Sequence, residues 1–386
     1  MQWHLGCPKW NTFTLWRIRE VCCAQVPNSS GPYGGALTSS VACAARWQAV
    51  EYLQSAALTS PMEQQMDTRA EPKVEDRFVG CLLGVAVGDA LGMPVEGWSR
   101  EAIRMRYGVL ADLQPSSSRG LGAGQFTDDT QMMLMHAESI VAAGRVDGDD
   151  LAQRFVAWLR SGDVRGIGGS TLQSILRLER GVHWTESGQT GEFAAGNGVA
   201  MRIAPIGLFD CQHPERLRDD VRTVGAITHR NSEALAGGLA AAYAVARLVT
   251  ARAQPTTLIE ETISFVGDCE VSRNLQRAQE LLESAAPASF SLARLGTSGY
   301  VVHTVASAFY CFVRTPSDFR ETAIEAVMAG QDTDTTAAVA SALSGAYDGV
   351  GSIPQGWLQQ LEARERIEGL ASQICVLALQ PSATEG

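Results

Sequence analysis

The sequence predicts an all-α fold, and three observations carry that expectation. From Asp76 onward, apolar residues return at helical spacing over long segments. Gly-rich turns join those segments. No stretch shows the sustained alternation that a half-buried strand requires, and no internal repeat is present. Clusters of Asp and Thr stand at two of the expected helix starts, so the chemistry is placed on loops at helix N-termini.

Residues 1–75 stand apart from this pattern. Four of the eight tryptophans and four of the nine cysteines fall within the first 47 residues, without a helical or strand period, so this part is not expected to share the core of the remainder. No basic n-region leads into a clean apolar h-region, which argues against a secretory signal. A short helix is expected over 41–58, and the polar run over 63–76 reads as flexible. The expected organisation is an accessory or weakly ordered extension over 1–75 (or a misplaced start), a functional domain over 76–375 and a short tail over 376–386.

A chain of 386 residues, 45% hydrophobic and 19% charged, is long enough for one large or two ordinary domains with a sizeable core. The formal charge of −11 argues against nucleic acid as a partner, which calls for a basic face, but leaves a nucleotide ligand open. Apolar runs are interrupted, by Asp89 within 82–95 and by Arg247 within 239–249, so no membrane span is expected. The nine cysteines show no CxxC pair or zinc spacing and read as reduced, mostly buried thiols, which with the charge balance places the protein in the cytoplasm. A monomer is expected.

The first expected helix carries Phe78, Leu82, Leu83, Val85 and Ala86 on an apolar face, with Gly80, Gly84 and Gly88 spaced four apart for close helix contact. Asp89 lies inside it; a charge there is paired, functional, or the cap of a neighbouring helix. Glu96 follows in a Pro/Gly loop, where a glutamate is ordinarily solvated. A loop-rich stretch over 98–126 leads into a helix expected over 127–143, with Asp128 and Gln131 suited to a capping box. Leu151, Phe155, Val156 and Leu159 mark the next helix. The Gly-rich turn over 162–171 opens a helix over 172–178, a place suited to phosphate. A second Gly-rich turn at Gly196-Asn197-Gly198 precedes a helix over 203–208, and Thr228-His229 precedes a long Ala-rich helix over 232–249. The helical pattern continues over 258–284 and 300–313.

Two short stretches organise the remainder. Thr127-Asp128-Asp129-Thr130 opens one apolar helix, and Asp332-Thr333-Asp334-Thr335 opens a helix rich in Ala, Ser and Val. Asp and Thr are favoured N-caps, yet one cap suffices, and adjacent carboxylates repel unless a cation or proton lies between them. Four Asp and several Thr oxygens form a hard donor set suited to Mg²⁺ or Mn²⁺ rather than zinc.

The order of GCLLGVAVGDALGMPVE (80–96), GQFTDDT (124–130), GNGVAMR (196–202), Thr228-His229 and GQDTDT (330–335) resembles that of the ADP-ribosylglycohydrolases, over residues 76–360. The resemblance implies an orthogonal multi-helix bundle with two Mg²⁺ or Mn²⁺ ions activating a water for attack at the anomeric carbon. It implies metal ligation by Thr127, Asp128, Asp129, Asp332, Asp334 and Thr335, and catalytic roles for Glu96 and Asp129. Asn197, Gly198, His229, Gly299 and Tyr300 fall where relatives hold ADP-ribose. The implied partner is an ADP-ribosylated protein or a small ADP-ribosyl compound. Hydrolysis of a free ADP-ribose derivative or another nucleotide adduct, and binding of ADP-ribose without turnover, stay open as alternatives. Three departures are visible: Gln331 replaces the second glycine of the usual GGDTDT, residues 340–346 read ASALSGA for the usual AGALAGA, and Gly166 falls where the nitrogenase-regulating branch carries an aspartate.

Overall fold

The structure, a computed structural model, describes residues 71–284 and 286–380. The short helix expected over 41–58 lies outside them. The described residues form one compact unit. In chain order its helices are α1 (Val74–Gly92), α2 (Arg100–Tyr107), α3 (Asp128–Ala143), α4 (Gly148–Ser161), α5 (Gly169–Glu179) and α6 (Trp184–Ser187). They continue as α7 (Ala204–Phe209), α8 (Pro214–Ala226), α9 (Ser232–Val249), α10 (Pro255–Val266), α11 (Glu270–Glu283) and α12 (Ala288–Leu295). The set closes with α13 (Val301–Arg314), α14 (Phe319–Val327), α15 (Thr333–Asp348), α16 (Gln355–Gln360) and α17 (Arg364–Leu379). Among the described residues there is no strand, only isolated bridges at Ser116–Leu121, Gln189–His229 and Gly196–Tyr300.

Local chemistry explains where these helices begin and end. Asn231 accepts from the amides of Glu233 and Ala234 and starts α9 where the sequence placed it. The helical pattern over 258–284 is two helices, because Gly267 adopts φ +93° and ends α10. Helix α1 begins at Val74, inside the run expected to be flexible. Helix α17 reaches Leu379, beyond the boundary expected at 375, because Ala378 is still buried.

The centre of the fold is the antiparallel contact of α1 with α15, and small residues on both helices make it possible. A Cβ on Gly80 would stand 2.5 Å from the Gly345 carbonyl, and one on Gly84 2.3 Å from that of Ser341. One on Gly88 would stand 2.2 Å from the Ala337 carbonyl. Those distances leave no room for any side chain, so the two backbones touch. We expect Gly84→Leu to destabilise the protein by more than about 3 kcal/mol, because the obstacle is backbone rather than a movable side chain. A denaturant midpoint near that of the native protein would contradict this packing. The stretch Val74–Val95 is long and apolar enough to cross a membrane, but nearly all of it is buried inside the fold. Cys81, Cys211, Cys311 and Cys375 are buried free thiols, and Cys269 is a partly buried one.

Candidate active site

The α1–α15 contact brings the two acidic stretches together. Near the C-terminal end of α1, Asp89 is fully buried and aimed at the start of α3. It accepts from the amides of Thr127 (3.0 Å) and Thr130 (3.1 Å) and from their hydroxyls, at 2.8 and 2.6 Å. Asp89 is therefore the cap of α3. The capping box expected between Asp128 and Gln131 does not form. Gln131 instead binds the 163–165 loop, donating to the Asp163 carbonyl and accepting from the Arg165 amide. The Thr127 hydroxyl spends its only proton on Asp89, so its lone pairs remain for an electrophile.

The start of α15 is fixed from the other side. Gly92 meets the backbone of Thr333 and Asp334, and the Thr333 hydroxyl donates to the Gly92 carbonyl at 2.8 Å. Gly97 donates to the Gln331 carbonyl and Gln331 to that of Trp98, both at 2.7 Å. These bonds seat the Glu96 loop against the second acidic stretch. Gln331 pays for its place with φ +66°, a conformation that a glycine adopts without strain. Carboxylate oxygens of Glu96, Asp332 and Asp334 consequently lie within 4.8 Å of one another. Glu96 is half-buried, not the solvated loop residue that its Pro/Gly setting suggested.

Buried carboxylates so close together resist ionisation. Burial, then Asp89, Glu96 and Asp332, push Asp128 up to about 7. Burial and the neighbouring Asp89, Asp128 and Asp332 hold Asp129 well above the usual range. Asp334 is raised by burial, then by Asp332, Asp129 and Glu96. Burial raises Asp89 to about 6 against its four hydrogen bonds. The Asp129 Oδ1 is buried with no hydrogen-bond partner. A hard divalent cation suits this donor set: carboxylates and hydroxyls, one oxygen orphaned, each charge disfavoured without a counter-charge.

The sign of the pH dependence follows. In metal-free protein the folded state holds protons on Asp89 and Asp128 that the unfolded chain releases near 4. Their contribution to stability is whole below the unfolded value and is lost as pH rises through about 6 and about 7. With chelator present, the melting temperature should fall between pH 5 and pH 8, and Mg²⁺ should flatten that fall. A rise over the same window in chelator would contradict the assignment.

One cation answers this charge from beneath, and the sequence reading assigned it no role. Arg202 is fully buried, with its guanidinium 5.2 Å from the Phe155 ring centroid. Burial lowers it to about 9, with Asp128 and Asp129 opposing the shift, so it is charged at neutral pH. It donates to the Thr228 hydroxyl at 2.5 Å, and that hydroxyl stands 2.9 Å from His229 Nδ1. Burial and Arg202 together lower His229 to about 3, so its ring is neutral. Its signal in the sequence was only the arginine that ends GNGVAMR.

A cleft of about 260 Å³ opens over these groups. It is lined by Glu96, Asp128, Asp129, Asp332, Asp334 and Thr335, and by Asn197, Gly198, His229 and Gly299. Thr127 lies beneath its floor as the N-cap of α3, and Tyr300 stands outside it, 36% exposed, at the start of α13. Asn197 faces inward. Its amide donates to Asp332 at 2.7 Å and to Thr304 at 2.9 Å, which uses both of its protons and leaves its carbonyl oxygen for a ligand. The Gly166–Thr171 turn completes the wall.

The site is a carboxylate-lined cleft between Asp/Thr helix starts of an all-α bundle, and comparison gives the family. The ADP-ribosylglycohydrolase profile matches residues 70–384, and the chain belongs to that family, whose members act on the glycosidic bonds of ADP-ribose. It is 32% identical to ADP-ribosyl-[dinitrogen reductase] glycohydrolase of Rhodospirillum rubrum, over 80% of this chain and 98% of that one. It is 28% identical to the ADP-ribosylarginine hydrolase Tri1 of Serratia proteamaculans, over 78% of this chain and 80% of that one. A solved structure titled ADP-ribosylglycohydrolase-related protein complex superposes with a TM-score of 0.67 at 31% identity, covering 79% of this chain and 99% of the other.

Proposed function

We propose that this protein is a divalent-metal-dependent hydrolase that removes ADP-ribose from an ADP-ribosylated protein or a small ADP-ribosyl compound. The observation that carries the reading is the convergence of four carboxylates, from helix starts about two hundred residues apart, in one cleft that also presents glycine, the Asn197 amide and a neutral imidazole. Thr127, Asp128, Asp129, Asp332, Asp334 and Thr335 would hold a pair of Mg²⁺ or Mn²⁺ ions. Such ions supply Lewis acidity and lower the pKa of a water to near neutrality.

The chain's own residues divide the remaining work. The Gly166–Gly168 turn leads into α5, whose first-turn amides, not capped by a side chain, suit the diphosphate. His229, neutral, and Asn197 offer hydrogen bonds to the terminal ribose without adding charge. The carboxylates stabilise positive charge that develops at the anomeric carbon as the glycosidic bond breaks. Glu96, a carboxylate paired with Arg119, takes a proton from the attacking water and passes it to the departing acceptor. Asp129, whose buried Oδ1 has no protein partner, would hold a metal ion and so fix where that water sits. The volume lies just below the usual range for ligand clefts (~300–1,000 Å³), which suits the ribose and diphosphate, with the adenosine end outside. Incubation with an ADP-ribosylated protein should release intact ADP-ribose. Release of AMP instead would mark a diphosphate hydrolase, and no release with retained ADP-ribose affinity would mark a binding protein.

A further inference from the structure

The cleft is unequal in charge along its length. The Gly166–Thr171 segment spans it, from Gly166 beside Asp128 to Thr171 beside Gly198 and His229. At the Thr171 end the wall is glycine, hydroxyl and neutral imidazole. At the Gly166 end a cation comes in from the loop before α3. A Cβ on Gly166 would stand 2.8 Å from Arg119 Nη1 and 3.2 Å from Asp128 Oδ1. The bare glycine, at φ +92°, is what gives the guanidinium room. Arg119 also forms an ion pair with Glu96, the two side chains being 27% and 31% exposed. Among the described residues that line the cleft itself there is no Lys or Arg, so this rim charge has no competitor nearby in the wall.

A substrate with its diphosphate at the neutral, amide-rich end and its anomeric carbon over the carboxylates sends its acceptor out past Glu96 and Arg119. We propose that Arg119 is a specificity-determining residue, disfavouring a cationic acceptor such as the guanidinium of ADP-ribosylarginine and favouring a neutral, oxygen-linked one. This deepens the hydrolase reading and rests on it. Two effects act in the same direction. The guanidinium occupies the place beside Glu96 that a cationic acceptor would need. The ion pair also neutralises Glu96, the group that would otherwise attract a guanidinium.

The test uses the full chain with Mg²⁺ and two peptides, one ADP-ribosylated on serine and one on arginine. The native protein should show the higher kcat/KM for the serine-linked peptide. Arg119→Gln should reduce the serine-to-arginine ratio by about tenfold, as expected for one competing cation removed. Arg119→Lys, which keeps the charge, should retain the native ratio, and Arg119→Met repeats the test should Arg119→Gln not fold. An unchanged ratio in the uncharged variants, or a native preference for the arginine-linked peptide, overturns the proposal. Native protein that releases ADP-ribose from neither peptide overturns the hydrolase reading itself, a different result from an unchanged ratio.

Discussion

Asp334→Ala is expected to abolish both the thermal shift produced by Mg²⁺ or Mn²⁺ and the release of ADP-ribose. Asp334 stands where the two acidic stretches meet. It is almost fully buried at the start of α15, its carboxylate is grouped with those of Glu96 and Asp332, and Asp129 from α3 raises it further. Removing it takes away one donor and much of the charge that attracts a cation. Turnover should fall at least about a thousandfold, since both binding and polarisation of the reacting groups depend on that charge. The apo variant should nevertheless melt near the native apo temperature, because the fold already disfavours ionisation of the carboxyl it removes. Differential scanning calorimetry with and without millimolar metal separates the two effects. A full metal shift in Asp334→Ala would sink the shared site.

The second large effect is expected at Glu96. Glu96→Gln keeps the size and most hydrogen bonds of the side chain but removes its charge and its capacity to carry a proton. If Glu96 protonates the departing acceptor, kcat should fall on the order of a hundredfold or more with little change in ADP-ribose affinity. Its partner makes the test specific: Gln at position 96 also releases Arg119 from the ion pair, so Arg119→Gln serves as the control that breaks the pair and keeps the carboxylate. Wild-type turnover in Glu96→Gln would return this residue to a supporting role and leave the proton transfers to the aspartates.

Much of this architecture was legible in the sequence, because it depends on spacing along one helix. The four-residue interval of Gly80, Gly84 and Gly88 announced a close helix partner, and the Ala/Ser-rich run after Asp334 supplied it. The two Asp/Thr stretches announced themselves by carrying more carboxylate than a cap needs. Pairings between distant positions were not legible. Asp89 is satisfied by residues 38 and 41 positions later, so capping and chemistry looked equally plausible for it. Arg202 finds Thr228 26 residues on and Met132 70 residues back, and nothing local marks an arginine as a buried counter-charge. Arg119 meets Glu96 and the Gly166 turn only because three loops converge. The capping box at Gln131 failed for the same reason: a loop 32 residues away offered its side chain a better partner.

The central claim is that this carboxylate-lined cleft cleaves the bond between ADP-ribose and its acceptor only with a divalent cation in place. The direct measurement is chromatographic detection of ADP-ribose released from an ADP-ribosylated protein by the full chain, first in excess chelator and then after Mg²⁺ or Mn²⁺ is restored. The account predicts no release in chelator and recovery when the metal returns. Equal release under both conditions would contradict it.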